Sequence, residues 1–155
     1  MKRTLAGSTG ILLLCTGLLV GTSPAQAATG HDPYKSGCAA TKRVVTSGEL
    51  KVTSGQYKGS HYGDIKLMWS RKCQTNWTEI WVDKSDWGLV RVVLAKRNTD
   101  GKRIVDFNYG PGNGGHHWGD MISGRGICAW GFATAHRAKN LVARGTTPTH
   151  TSACG

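Results

Sequence analysis

His116, His117 and Asp120 fall within five residues, behind the glycine-rich run from Gly110 to Gly115. Two imidazoles beside a carboxylate are the side chains that ligate a metal ion or run general acid–base catalysis. The spacing is not His-Glu-x-x-His, and neighbouring side chains on a strand point to opposite faces. Both histidines could serve one centre only from a loop, and the plainer expectation is an exposed loop carrying titrating histidines. The glycine run lacks the Gly-Lys-Ser/Thr ending of a phosphate-cradling loop and precedes a short strand rather than a helix. A small exported nuclease would need a carboxylate base, a histidine acid and an arginine on the phosphate. Glu79, His117 and Arg91 supply those types, but no spacing selects them from nine acids and six histidines. There is no Gly-x-Ser-x-Gly elbow. These residues assign no catalytic group, no metal site and no cofactor.

The basic residues carry more information. The chain has 20 Lys and Arg against nine Asp and Glu, a formal charge of +11. Lys96 and Arg97 precede the turn Asn98 to Gly101, and Lys102 and Arg103 follow it, so an antiparallel pair would gather all four at one tip. Arg71 and Lys72 flank Cys73 on another connection. Such tips are candidate anion-binding sites, because a basic exported domain accumulates on polyanions by counterion release and steering. Outside a cell the expected polyanions are cell-wall polymers, and nucleic acid would be held non-specifically by the same charges. The plainer alternative is that the charge keeps a small monomeric protein soluble. Of six tryptophans, Trp69, Trp87 and Trp130 lie in apolar runs and are expected in the core. Trp77, Trp81 and Trp118 are not so placed; core packing is still the plainer expectation for each, though an exposed Trp beside a basic tip would suit stacking on sugar rings or bases.

The elements that would hold these residues read as strands. Ile65, Leu67 and Trp69 alternate with Lys66, Met68 and Ser70, and Trp77 and Trp81 with Thr78, Ile80 and Val82. Period-2 patterning rich in aromatic and β-branched residues predicts two strands from about Gly63 to Asp83, joined by a connection bearing Cys73. Lys42–Val45 and Glu49–Thr53 predict short strands broken at Ser47-Gly48. Trp87–Lys96, apolar on both faces, predicts a central strand, with Ile104–Tyr109 returning across the Asp-Gly turn. Trp118–Ser123 and Ile127–Ala133 predict two more. The tail from Ala135 reads as a helix to Arg144 or as a hairpin through residues 137–140 returning along Leu141–Thr147. The hairpin is preferred because all that precedes it is β. Residues 28–37 read as an extended lead-in anchored by Cys38.

Residues 1–27 read as a secretory signal peptide: Lys2 and Arg3, the apolar run Ile11–Val20, then Ala25-Gln-Ala27. No later run is apolar enough for a membrane span, which takes about 20 residues. Removing 27 of 155 residues leaves 128, with 18 basic and nine acidic residues. That length suits one domain, residues 28–155. Cys38, Cys73, Cys128 and Cys154 remain, and an even count in an exported chain implies two disulfides with three possible pairings. None has the Cys-x-x-Cys spacing of a zinc or redox site.

The run Asp32 to Cys38, the strand Ile65 to Ser70, the segment Cys73 to Trp77, and Gly119 to Met121 followed by Ile127 to Trp130 resemble one family. It is the YjfA-like secreted proteins of Gram-positive bacteria, a domain of unknown function numbered 2690. The likeness covers most of residues 31–130. The family pattern has a Asp-Pro…Gly-Cys lead, a Leu-Arg-Tyr-Ser-like strand and Cys-x-Thr-x-Trp-Ala-Arg. This chain differs at Met68-Trp69, where Arg-Tyr is usual, and at Thr78-Glu79, where Ala-Arg is usual. The resemblance implies export and a Cys38–Cys73 disulfide, which would leave Cys128 to pair with Cys154. It implies no activity.

The expectation is therefore one secreted, extracellular, all-β domain, a small antiparallel sandwich or barrel with two disulfides. Its leading role is a non-enzymatic binding module for anionic cell-surface polymers. The alternatives are a hydrolase or nuclease-like toxin using the His116–Asp120 loop, and an inhibitor or interaction partner of another secreted protein.

Overall fold

A computed structural model describes residues 29–82, 89–97, 103–109, 115–123, 129–137 and 140–148. Among these residues there is no α-helix. Nine strands run antiparallel: β1 (Lys42–Val52), β2 (His61–Ser70), β3 (Thr75–Val82), β4 (Leu89–Arg97), β5 (Arg103–Tyr109), β6 (Gly115–Trp118), β7 (Ile122–Ser123), β8 (Ala129–Arg137) and β9 (Asn140–Thr146). They form one sheet in the order β5-β4-β8-β9-β1-β2-β3-β6, with β7 also on β3. The sheet curls into a half-barrel, so the all-β antiparallel expectation holds in its barrel-like form.

The concave face is built by alternation. Ile65 and Leu67 of β2, Ile80 and Val82 of β3, and Leu50 and Val52 of β1 point inward and are buried. Ala133, Ala135 and Ala143 of β8 and β9 close over them. Small side chains there let the curled strands approach, as the close-packed interior requires. Glycine serves the same end at Gly48, where a Cβ would stand 2.5 Å from the Thr146 carbonyl oxygen.

The convex face of β2 and β3 is covered as well, so nearly every residue of β3 is buried. The cover is the lead-in, and it is not extended. The Asp32 carboxylate accepts the backbone N–H of Tyr34 at 2.8 Å and of Lys35 at 3.1 Å. Ser36, Gly37 and Ala39 then donate back to Asp32, Tyr34 and Pro33. Those turns lead into a 3₁₀ turn, Cys38–Thr41. Cys38 is bonded to Cys73, with Cα atoms 5.7 Å apart. The disulfide staples the cover to the β2–β3 turn, where Cys38, Met68, Trp77 and Met121 form a small core. Cys128 and Cys154, like residues 1–27, lie outside the described residues.

Three further expectations are corrected, and the preferred hairpin in the tail is found. β1 is not broken at Ser47-Gly48; it is continuous, and the register slips at Val45, where an extra residue bulges out. Residues 118–123 are not one strand, because after Gly119 makes a last bond to Thr78 of β3, Met121 exchanges backbone hydrogen bonds with Gly30 and His31 of the lead-in. The tail is the β8–β9 hairpin and not a helix, since Ala143 and Gly145 are needed opposite Ala135 and Ala133. Among the described residues Trp77 is the fully buried tryptophan, whereas Trp69 and Trp130 are only half-buried. Trp87 lies outside the described residues. β4 does lie between two neighbours, β5 and β8.

The curl fixes which loops share an end. Arg97 pairs with Ala129, and Lys96 with Arg103. Ala129 packs on Leu67 and Ile122. Leu67 leads along β2 to the turn carrying Arg71 and Lys72, so that turn and the strand ends at Arg97 and Arg103 lie at one end of the half-barrel.

Candidate functional site

Two regions gather the residues that could do chemistry. The first surrounds Glu79 on the convex face. Glu79 is fully buried, in a strand whose neighbours Trp77 and Trp81 share its face. Its Oε1 accepts Tyr34 Oη–H and Trp77 Nε1–H at 2.8 Å each. Lys42 Nζ lies 3.1 Å from both carboxylate oxygens and also donates to Tyr34 Oη. His116 Nε2 lies 2.8 Å from Oε2. Burial alone pushes this carboxyl up. The hydrogen bonds from His116, Trp77, Tyr34 and Lys42 outweigh burial and lower the pKa to about 2.

Rings close the region. His116 stacks on Trp81 with centroids 4.5 Å apart and planes 12° apart. Tyr34 packs on Trp118 at 4.3 Å and meets His116 edge-on at 5.9 Å. Lys66 Nζ sits 4.3 Å from the centre of the Trp81 ring. A saturated, buried carboxylate with so low a pKa is a poor general base at neutral pH. Its chemistry is to tie the lead-in, β1 and β6 to β3.

The candidate loop His116, His117 and Asp120 is divided by the same geometry. His116 and His117 lie in β6, not in a loop, opposite Trp81 and Ile80 of β3. Alternation therefore sends His116 to Glu79 and turns the buried His117 to the other face. Of the triple Glu79, His117 and Arg91, His117 does not join Glu79, whose imidazole partner is His116, and the Arg91 side chain lies outside the described ones. Asp120 is half-buried; burial first, and the charge of Asp32 second, raise its pKa. Among the described residues, no three His, Cys, Asp or Glu side chains are placed to hold a metal ion.

The second region is the basic end. A cleft of about 740 Å³ is lined by Thr41, Arg43, Trp69, Arg71 and Lys72. Arg43 and Trp69 are paired across β1 and β2, and Arg71 and Lys72 follow at once in the turn. All three cations are exposed, and none has a carboxylate within ion-pair distance among the described residues. At the same end the backbone places Lys96 opposite Arg103, with Arg97 beside Lys96; Lys102 lies outside the described residues. A second cavity, of about 760 Å³ between β1 and β9, has mixed charge. There Lys51 is held by Glu49 at 3.3 Å.

Arg71 and Lys72 were legible from sequence, whereas Arg43 and the exposed side of Trp69 were not. Arg43 joins them only through strand pairing. Glu79 was visible as one carboxylate in an apolar strand, a signal for a buried ionic network. Its partners Tyr34, Lys42 and His116 are 45, 37 and 37 residues away.

Residues 26–126 match the model of the family described as Protein of unknown function (DUF2690). The chain belongs to that family. No curated protein and no solved structure matches it.

Proposed function

We propose that this DUF2690 protein is an exported, non-enzymatic binding module that associates with anionic polymers outside the cell through the basic end of its half-barrel. The observation that carries the reading is the convergence of Arg43, Arg71 and Lys72 on one cleft without a carboxylate partner among the described residues. Exposed like charges held together raise the local potential. They are stabilised when a polyanion neutralises them and its counterions are released. Lys96 and Arg103 at the same end add to that field. Export is supported by the basic–apolar–small pattern of residues 1–27 and by a disulfide, a bond that persists in oxidising compartments.

The test is co-sedimentation with purified cell walls, with and without their anionic polymers, over a salt series. Binding that disappears when the polymers are stripped or the salt is raised supports the reading. So does a matching loss in Arg43→Ser/Arg71→Ser/Lys72→Ser. No binding at low salt overturns it.

A further inference from the structure

We infer that the cleft between the start of β1 and the β2–β3 turn takes single-stranded nucleic acid, with a base stacked on Trp69 and the flanking phosphates on Arg43, Arg71 and Lys72. The inference rests on the polyanion reading and names the polymer.

The lining decides the ligand class. Among the lining side chains, two guanidinium groups, one ammonium and the indole N–H are donors without acceptor capacity, and only the Thr41 hydroxyl can accept. A neutral sugar is gripped best by side chains that accept from its hydroxyls as well as donate to them, and the side chains of this wall are almost all donors. Phosphate oxygens are acceptors only, and the planar guanidinium fork takes two at once. A chain of polyol phosphates would satisfy the cations but present no flat ring to Trp69.

A nucleotide offers both groups at the spacing of one residue. A cleft of about 740 Å³ falls within the ordinary range for small-molecule sites, roughly 300–1,000 Å³. Aromatic rings beside a cationic track are how proteins hold single strands without reading sequence, because every base has a π-face. The backbone places Arg97 and Arg103 at the same end. In a duplex the bases are stacked inside and cannot reach the indole.

The experiment is fluorescence anisotropy on the purified full chain, with four probes: a labelled dT 12-mer, an abasic strand of equal length, the corresponding duplex and inorganic polyphosphate. The dT strand is expected to bind at least about fivefold more tightly than the abasic strand or the duplex. Trp69→Leu should remove that advantage and leave polyphosphate binding within twofold. Arg43→Ser/Arg71→Ser/Lys72→Ser should weaken every probe and flatten the single-strand salt slope by about 2. Equal binding of the dT and abasic strands overturns the nucleic-acid assignment with no variant needed, and polyphosphate binding then leaves the polyanion reading standing. Failure of every probe at low salt overturns both.

Discussion

Lys42 and Arg43 are neighbours in the chain and end in opposite circumstances. Lys42 turns to the convex face, reaches Glu79 at 3.1 Å and stays only 31% exposed. Arg43 turns the other way, into a cleft with Trp69, Arg71 and Lys72 and, among the described residues, no counter-charge. Around Glu79 each charged group has a partner and the rings are packed on one another. At the basic end the cations and the indole face solvent. Partnered charge serves to hold elements together, because removing one member strands the others without water. Unpartnered charge at one spot costs stability slightly and repays it only when a ligand arrives.

Substitutions should separate the two regions cleanly. The largest effect is expected at Glu79: Glu79→Ala leaves Lys42, Tyr34, Trp77 and His116 without their acceptor and should cost about 3–5 kcal/mol in urea unfolding. An effect below about 1 kcal/mol would mean that the network is not structural. Next comes the staple. Cys38→Ser/Cys73→Ser opens a link spanning 35 residues and should cost about 2–4 kcal/mol, with the lead-in losing amide protection before the sheet does.

Acid should act through the same carboxylate. Its native pKa of about 2 lies below the ordinary 4.5, so ionised Glu79 stabilises the fold above the unfolded value. That contribution, of order 3 kcal/mol, is lost as pH falls from about 4.5 towards 2. Glu79→Gln should flatten the stability profile in that window, and an unchanged profile would place the acid sensitivity elsewhere. His116→Ala removes one hydrogen bond and the stack on Trp81, for about 1–2 kcal/mol. The smallest effect on stability belongs to the other region. Arg43→Ser/Arg71→Ser/Lys72→Ser should stay within about 0.5 kcal/mol of the parent while losing polyanion binding. A large destabilisation there would erase the contrast.

How much could be read in advance varies along the chain. The β2–β3 hairpin was legible because Ile65, Leu67, Ile80 and Val82 alternate strictly with Lys66 and Glu79, and the pairing of Ile65 with Ile80 follows from that pattern. The Cys38–Cys73 bond was legible through family resemblance and is present. The split of His116 from His117 was implied by alternation once they were on a strand. Trp77 was a weaker core candidate than Trp69 or Trp130 because polar Thr75, Asn76 and Thr78 surround it. All three are buried in a strand covered on both faces, so period-2 polarity no longer marks the outside.

Local pattern by itself determined the strands, the β2–β3 turn, the excess of positive charge and the tips that carry it, because those properties depend on residues a few positions apart. What only the tertiary structure decided is where the faces change. Val44 pairs with Met68 and Thr46 with Leu67, leaving Val45 as one extra residue in β1. Beyond that bulge the even-numbered positions, Leu50 and Val52, point into the core. Before it an even-numbered position, Lys42, points outward to Glu79, and Arg43 is delivered to Trp69. One inserted residue reverses every side chain that follows it. The bulge is stable only because the convex face is covered by the stapled lead-in while the concave face is filled from β8 and β9, contacts made across the whole length of the fold.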